Sequence, residues 1–171
     1  MKVTIIANIS ANGRVLLSDN PHHQLPPETM EFYIHFARGV GNLVIGMKTF
    51  ENFQRFSKEV RQLFEGIEII ILSGSQNTVE GFKTVKSPEE AMEYISSRGF
   101  DEIAVGGGAA TFNTFIDKGL VTDIYFNISS IITGAGNVLG NNIEMNTSFR
   151  LQKHTVKNNF IQLHLTREHK P

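Results

Sequence analysis

The chemistry-bearing residues of this chain cluster in glycine-rich or hydroxylic turns that follow apolar runs. "AVGGGAATFNTF" (residues 104–115) is the clearest. Gly106, Gly107 and Gly108 lack a Cβ, so another group can approach their backbone closely, and they accept positive φ without strain. Ala109 and Thr111 belong to the first turn of the helix that follows, whose free N–H groups attract an anion. Two readings stand side by side: the glycines make room for a diphosphate, or they close a tight strand-to-helix turn. The pattern is not GxGxxG, and no acid stands about 20 residues beyond the first strand, so a Rossmann dinucleotide site is not indicated. "VIGMKTFEN" repeats the arrangement with Gly46, Met47, Lys48 and Thr49; Lys48 and Thr49 can hold an anion, or simply cap a helix. "IILSGS" brings Ser73 and Gly74 to a third strand end. Three such ends suit a long ligand lying across a sheet.

Glu28, in "LPPETMEF", is the candidate proton donor. A carboxylate in the first turn of a buried helix, in an apolar cleft beside Phe32, would have its pKa raised by desolvation. The alternative is a helix acid satisfied by the dipole. His22 and His23 are adjacent but lack a third ligand at helical spacing, so no metal site is expected. The chain has no cysteine, which removes thiol catalysis and thiolate metal sites. Phe36, Phe50, Phe53 and Phe56 read as core, and Phe32 alone among these rings as a substrate contact.

The elements that must position these groups follow from the pattern. "VTIIANI" is a buried strand, and Ser10–Pro27 a long loop of the kind that is usually functional. A helix runs from Pro27 to Gly39. "NLVIG", "IEIIILS", "FKTV" and "EIAVGGG" read as strands, and "VTDIYFNISSII" as a longer one. Helices are expected over "KTFENFQRFSKEV", "SPEEAMEYISSRG" and "ATFNTFIDKG", and the chain closes in a hairpin turning at "NN". This alternation implies an α/β fold: a mostly parallel central sheet, helices on both faces, and a C-terminal antiparallel hairpin. The 171 residues carry no compositional break and are expected to form one domain, 1–171. A net charge of −1 gives no reason to expect nucleic acid or an anionic membrane. The short apolar start "MKVTIIANIS", with no cleavage site after it, suits a cytoplasmic protein.

"IGMKTFEN", "IIILS" and "VGGG" occur in the order and spacing of dihydrofolate reductase. "IIANISANGRVL" is similar to that family's first strand and mobile loop, and "LPPE" to its "LPxD/E". "GGGAATFNTFIDKGLVTDIYFNISSIITGAGNVLG" resembles instead the reductase domain of the riboflavin-biosynthesis deaminase/reductase. The two resemblances together cover nearly the whole chain. They imply a dihydrofolate reductase-like reductase that uses NADPH, with NADH as a second possibility. Its substrate would be an aminopyrimidine, pterin or folate, and the riboflavin-type relatives suggest a homodimer. Residue by residue, the resemblance places Ala7, His23, Phe32 and Asn127 at the substrate, and Glu28 as the pocket carboxylate. It places Gly46, Met47, Lys48, Thr49, Gly106, Gly107, Gly108, Ala109 and Thr111 at the diphosphate, and Ser73 and Gly74 near the adenine ribose. Arg14 stands for the Lys of the riboflavin-type "DGKIA". Met47 replaces the Arg that meets the 2′-phosphate, Leu17 replaces the second Gly of "NGxIG", and Ile67 replaces the Arg that grips a folate tail. A glutamylated folate is therefore not the expected substrate. The competing class is a nucleotide- or pterin-binding domain that has lost catalysis.

Overall fold

A computed structural model describes residues 1–16, 19–75 and 78–168; Leu17 lies outside these. The chain runs β1 (Lys2–Ser10), α1 (Pro27–Val40), β2 (Asn42–Gly46), α2 (Met47–Gln54), α3 (Lys58–Gln62), β3 (Glu68–Leu72), β4 (Lys83–Val85), α4 (Pro88–Ser97), β5 (Glu102–Gly107), α5 (Ala109–Asp117), β6 (Asp123–Ser129), β7 (Phe149–Val156) and β8 (Phe160–Arg167). All strands join one eight-stranded sheet in the order β4-β3-β2-β5-β1-β6-β8-β7. Pairings from β4 to β6 are parallel, and β8 pairs antiparallel with both β6 and β7. The expected α/β architecture, with its closing hairpin, is what forms.

The strands alternate their side chains between two apolar layers. Val3, Ile5 and Ala7 of β1 join Val44, Ile70 and Val105 against Phe112, Phe115 and Ile116 of α5 and Ala91 and Ile95 of α4. On the other face Leu43, Ile45, Ile69, Ile71 and Ala104 meet Ile34 and Ala37 of α1 and Phe50 of α2. Ile67 is buried in this second layer.

Three local expectations are corrected. α1 ends at Val40 rather than Gly39; Gly41, at φ 84°, provides the left-handed turn, and its N–H donates to Ala37 O. The helix expected over Lys48–Val60 is two helices. Arg55 and Phe56 tighten the chain by bonding to Asn52 O and Phe53 O, and Ser57 starts α3 by accepting from Val60 N at 3.4 Å. A serine preceding Lys-Glu is a helix start, and the phenylalanine spacing obscured it. β6 stops at Ser129, short of the expected Ile132.

Between β1 and α1 the "ANGR" turn bends back, with Ser10 N donating to Arg14 O and Leu16 N to Asn8 O. It latches onto the loop after β6. Asn12 Nδ2 donates to Thr133 O at 2.9 Å, and Arg14 Nη1 to Gly136 O at 3.0 Å. A Cβ on Gly136 would come within 2.3 Å of Val15 O, so only glycine allows this contact.

Candidate functional site

Strand order places β5 between β2 and β1, and the connections leave it in opposite directions. After β2 the chain turns to the α1 face and forms α2; after β5 it turns to the other face and forms α5. Such a switch point opens a crevice at the carboxyl ends of the strands. The register of β2 against β5 slips there: Val44 pairs with Val105 but Ile45 with Gly107, which leaves Gly106 as the extra residue. A bulge of this kind re-aims the chain.

Each glycine of the turn has its own reason. A Cβ on Gly106 would lie 2.0 Å from Tyr33 Oη and 2.7 Å from Leu43 Cδ1, so this site is filled by α1 rather than kept open for a ligand. Tyr33 Oη donates to Gly106 O at 3.1 Å. Burial pushes the Tyr33 hydroxyl well above the ordinary tyrosine range. Gly107 has φ 128°, which side chains rarely adopt. The Gly107–Gly108 peptide bond is cis.

The two glycine turns abut. A Cβ on Gly46 would lie 2.6 Å from Thr111 Oγ1, and one on Gly108 would lie 3.3 Å from Thr49 Oγ1. Each helix thus sends a threonine hydroxyl against the glycine that begins the other. α2 starts after Gly46 and α5 after Gly108, and neither start is capped by a side chain. The first N–H groups of both helices therefore lack the usual capping acceptor at the same spot. Two uncapped helix starts side by side suit an anion.

A cleft of about 460 Å³ runs through this point. Its walls include Gly46, Met47, Lys48, Thr49, Ser73, Gly74, Gly106, Gly107, Gly108, Ala109 and Thr111. The turn residues singled out in the sequence are thus brought together along one channel. Lys48 is exposed at its rim, and Ser73 Oγ shares a hydrogen bond of 2.9 Å with Ser75 Oγ. Toward β1 and α1 the channel continues between Ile6, Asn8, Leu16, Met30, Tyr33, Phe53 and Phe56, with Asp19 as its carboxylate among the described lining residues.

The residues expected at the substrate are placed differently. Glu28 is exposed and opens onto a second pocket of about 560 Å³ between α1 and the β7–β8 hairpin, beside Glu31, Phe32, His35 and Lys157. The described residues around that pocket are mostly polar rather than the apolar cleft expected at Glu28, and the face of α1 that enters the main cleft carries Met30 and Tyr33. Phe32 packs against Tyr125, with ring centroids 5.1 Å apart, and not along the cleft. The Ala7 side chain lies in the α4–α5 layer, while its neighbours Ile6 and Asn8 line the cleft. His23 is buried, with Nε2 3.1 Å from Thr133 Oγ1, and Arg14 is held by Gly136 O; neither lines the cleft. Asn127 is fully buried and reaches the cleft only through Asn8, to whose Oδ1 its Nδ2 donates at 2.9 Å. Asn8, Tyr33 and Asn52 line the cleft without having been singled out, and Phe53 and Phe56, expected in the core, line it too. The two phenylalanines carried a signal, since helical spacing fits a cleft wall as well as a core.

The fold and the paired glycine turns define a class, the α/β domains of dihydrofolate reductase-like fold. The sequence profile of the RibD C-terminal domain matches residues 48–163. The chain belongs to the RibD C-terminal domain family. Solved structures share the fold at low identity. A riboflavin biosynthesis protein of Shewanella sp. PV-4 superposes with a TM-score of 0.75 at 18% identity, covering 99% of this chain and 100% of that one. A pyrimidine reductase-like protein of Corynebacterium diphtheriae gives 0.77 at 15% identity, covering 99% and 92%. The diaminohydroxyphosphoribosylaminopyrimidine deaminase/5-amino-6-(5-phosphoribosylamino)uracil reductase of Thermotoga maritima gives 0.72 at 13% identity, covering 97% of this chain and 56% of that one. Comparison with curated proteins finds no match. Among the described residues no helix is long and apolar enough to cross a membrane.

Proposed function

We propose that this protein is an NADPH-dependent reductase acting on an aminopyrimidine of the 5-amino-6-(5-phosphoribosylamino)uracil type. The observation that carries the reading is the apposition of Gly46 with Thr111 and of Gly108 with Thr49 at two uncapped helix starts. The residues fit the cofactor: the N–H groups opening α2 and α5 meet the diphosphate, Lys48 adds charge at the rim, and a Cβ at Gly74 would meet nothing within 4 Å, which leaves room for the ribose. When bound, NADPH supplies a hydride to an electrophilic carbon of the substrate.

The chain supplies orientation, exclusion of water and the proton that completes the reduction. Phe53, Phe56, Met30 and Leu16 form an apolar wall for a flat ring. Tyr33 fixes the Gly106 carbonyl and so the path of the glycine turn. Asp19, exposed at the mouth of the cleft, is the carboxylate among its described lining residues and relays a proton through water to the reduced substrate.

Titration with NADPH, followed by cofactor fluorescence, tests the site, and turnover of aminopyrimidine and dihydropterin substrates tests the chemistry. Saturable NADPH binding that a folded Gly107→Val variant loses is the expected result. Unchanged affinity in that variant would refute the diphosphate assignment. NADPH binding without turnover of either substrate class would favour the binding-domain reading.

A further inference from the structure

Asn8, Asn127 and Gln162 stand side by side on three adjacent strands. Asn8 pairs with Asn127 across β1 and β6, and Asn127 with Gln162 across β6 and β8. Gln162 Nε2 donates to Asn127 Oδ1 at 2.8 Å, and Asn127 Nδ2 donates to Asn8 Oδ1 at 2.9 Å. The row has two different ends: Gln162 opens onto the second pocket, Asn8 onto the cleft. Asn127 between them is fully buried, with each amide atom engaged.

Such a row has a polarity. An amide accepts only through oxygen and donates only through nitrogen, so the direction of one member fixes the next. Because Asn8 Oδ1 accepts from Asn127, the group Asn8 has left to offer is its Nδ2. Among the described residues that nitrogen has no acceptor.

We infer that Asn8 reads the hydrogen-bonding edge of the substrate ring, donating from Nδ2 to a ring carbonyl oxygen, and that Asn127 and Gln162 are positioning residues that hold it in this polarity. The inference rests on the reductase reading of the cleft. A pyrimidine with a carbonyl on that edge satisfies Asn8. One with an amino group there sets N–H against N–H and leaves donors unpaired in a site shielded from water. Sites built to pair a polar group reject analogues that cannot pair it, because the protein's own group is then stranded. Asn8 cannot turn over alone, since that would set its Nδ2 against Asn127 Nδ2, two donors; all three amides of the row would have to turn together.

The polarity can be reversed without touching the cleft. In Gln162→Glu the carboxylate accepts but does not donate, so Asn127 turns its Nδ2 toward it. Its Oδ1 then faces Asn8, which turns in response and offers Oδ1 to the cleft. Asn127→Asp has the same consequence one step nearer. Asn8→Leu removes the reader altogether.

The probes are 5-aminouracil and 5-aminocytosine, which exchange a carbonyl for an amino group on the edge. Their binding to the NADPH-saturated protein is measured by calorimetry, with NADPH affinity recorded for each variant. The wild-type protein is expected to prefer 5-aminouracil by tenfold or more. Gln162→Glu and Asn127→Asp should lose or invert that preference, Asn8→Leu should abolish it, and NADPH affinity should stay within about threefold in all three. An unchanged preference in folded Gln162→Glu and Asn8→Leu would overturn the inference, as would an effect on NADPH affinity alone. A wild-type protein that binds NADPH but does not distinguish the two pyrimidines also overturns it, while leaving the cofactor site intact. Failure to bind NADPH is the separate outcome that removes the reductase reading itself.

Discussion

The contact between the two glycine turns predicts a specific non-additivity. Gly46 has φ −76° and ψ 161°, a conformation any residue adopts, so Gly46→Ala introduces no backbone strain. Its cost must come from space. The added Cβ meets Thr111 Oγ1 at 2.6 Å, while the next contact, Gly107 O, lies at an ordinary 3.8 Å. Thr111 is buried, so its hydroxyl can move away only by shifting the first turn of α5 or by taking a poorer rotamer. Overpacking of one methyl against a fixed group costs about 1–3 kcal/mol. At about 2 kcal/mol, a chain of this length loses roughly 4–8 °C in Tm. Thr111→Ala removes the hydroxyl and opens the space the Cβ needs. The double variant should therefore be more stable than the sum of the single changes by about 1–2 kcal/mol, the size expected for two groups in contact. Urea unfolding followed by circular dichroism for the four proteins gives the coupling directly. Cofactor titration of the same set should show that Gly46→Ala weakens NADPH binding and that Thr111→Ala partly restores it. If Gly46→Ala costs the same with and without Thr111→Ala, the two turns do not abut, and the shared anion site at α2 and α5 falls with them.

Three further outcomes are expected. Glu28→Gln should leave turnover within about threefold of the wild type because Glu28 is exposed outside the cleft, while Asp19→Asn should lower it by about a hundredfold, the usual size of a lost proton donor; steady-state kinetics of both variants decides. NADPH should be preferred over NADH by only about 1–2 kcal/mol, since the exposed Lys48 beside Met47 is the one cation among the described residues lining the cleft, and a thousandfold preference in competitive titrations would point to another cation. Burial raises the Tyr33 pKa, so above about pH 10 the unfolded chain loses its proton first and stability falls as pH rises; denaturation curves at pH 9 and pH 11 should differ less in Tyr33→Phe than in the wild type.

Much of the fold was legible because its signals are local. Five short β-branched runs marked parallel strands, and Ser87-Pro88 marked the start of α4, where Ser87 Oγ accepts from Glu90 N at 3.2 Å. The "NN" turn marked the hairpin. The break at Ser57 was also local, but the phenylalanine spacing on either side concealed it. The turn residues converge for a related reason. A parallel sheet must bring its strand ends to one edge, so residues recognised separately at Gly46, Ser73 and Gly106 share a cleft once the strand order is known. What could not be read was the cause of each glycine. Gly106 is vacant for Tyr33, a residue 73 positions earlier on another element, and only the packing of α1 on β5 brings them together.

Glu28 and Phe32 lie outside the cleft for a reason of phase. "LPPE" fixed where α1 begins but not how the helix is rotated. At about 100° per residue, Glu28, Phe32 and His35 fall within a narrow sector, and Met30, Tyr33 and Ala37 fall nearly opposite. Which sector faces the sheet is decided by burial: Ala37 is fully enclosed, and Tyr33 fills the space at Gly106. With Tyr33 seated there, Glu28 is carried outward, and no adjustment of its rotamer brings it across the helix. Strand order explains why Asn8, and not Asn127, lines the cleft. β6 lies one strand farther from the glycine turn than β1, so a side chain on β6 reaches the cleft only by passing its hydrogen bond through β1. A motif names the element that carries the chemistry; the packing of that element on the sheet selects which of its residues meets the ligand.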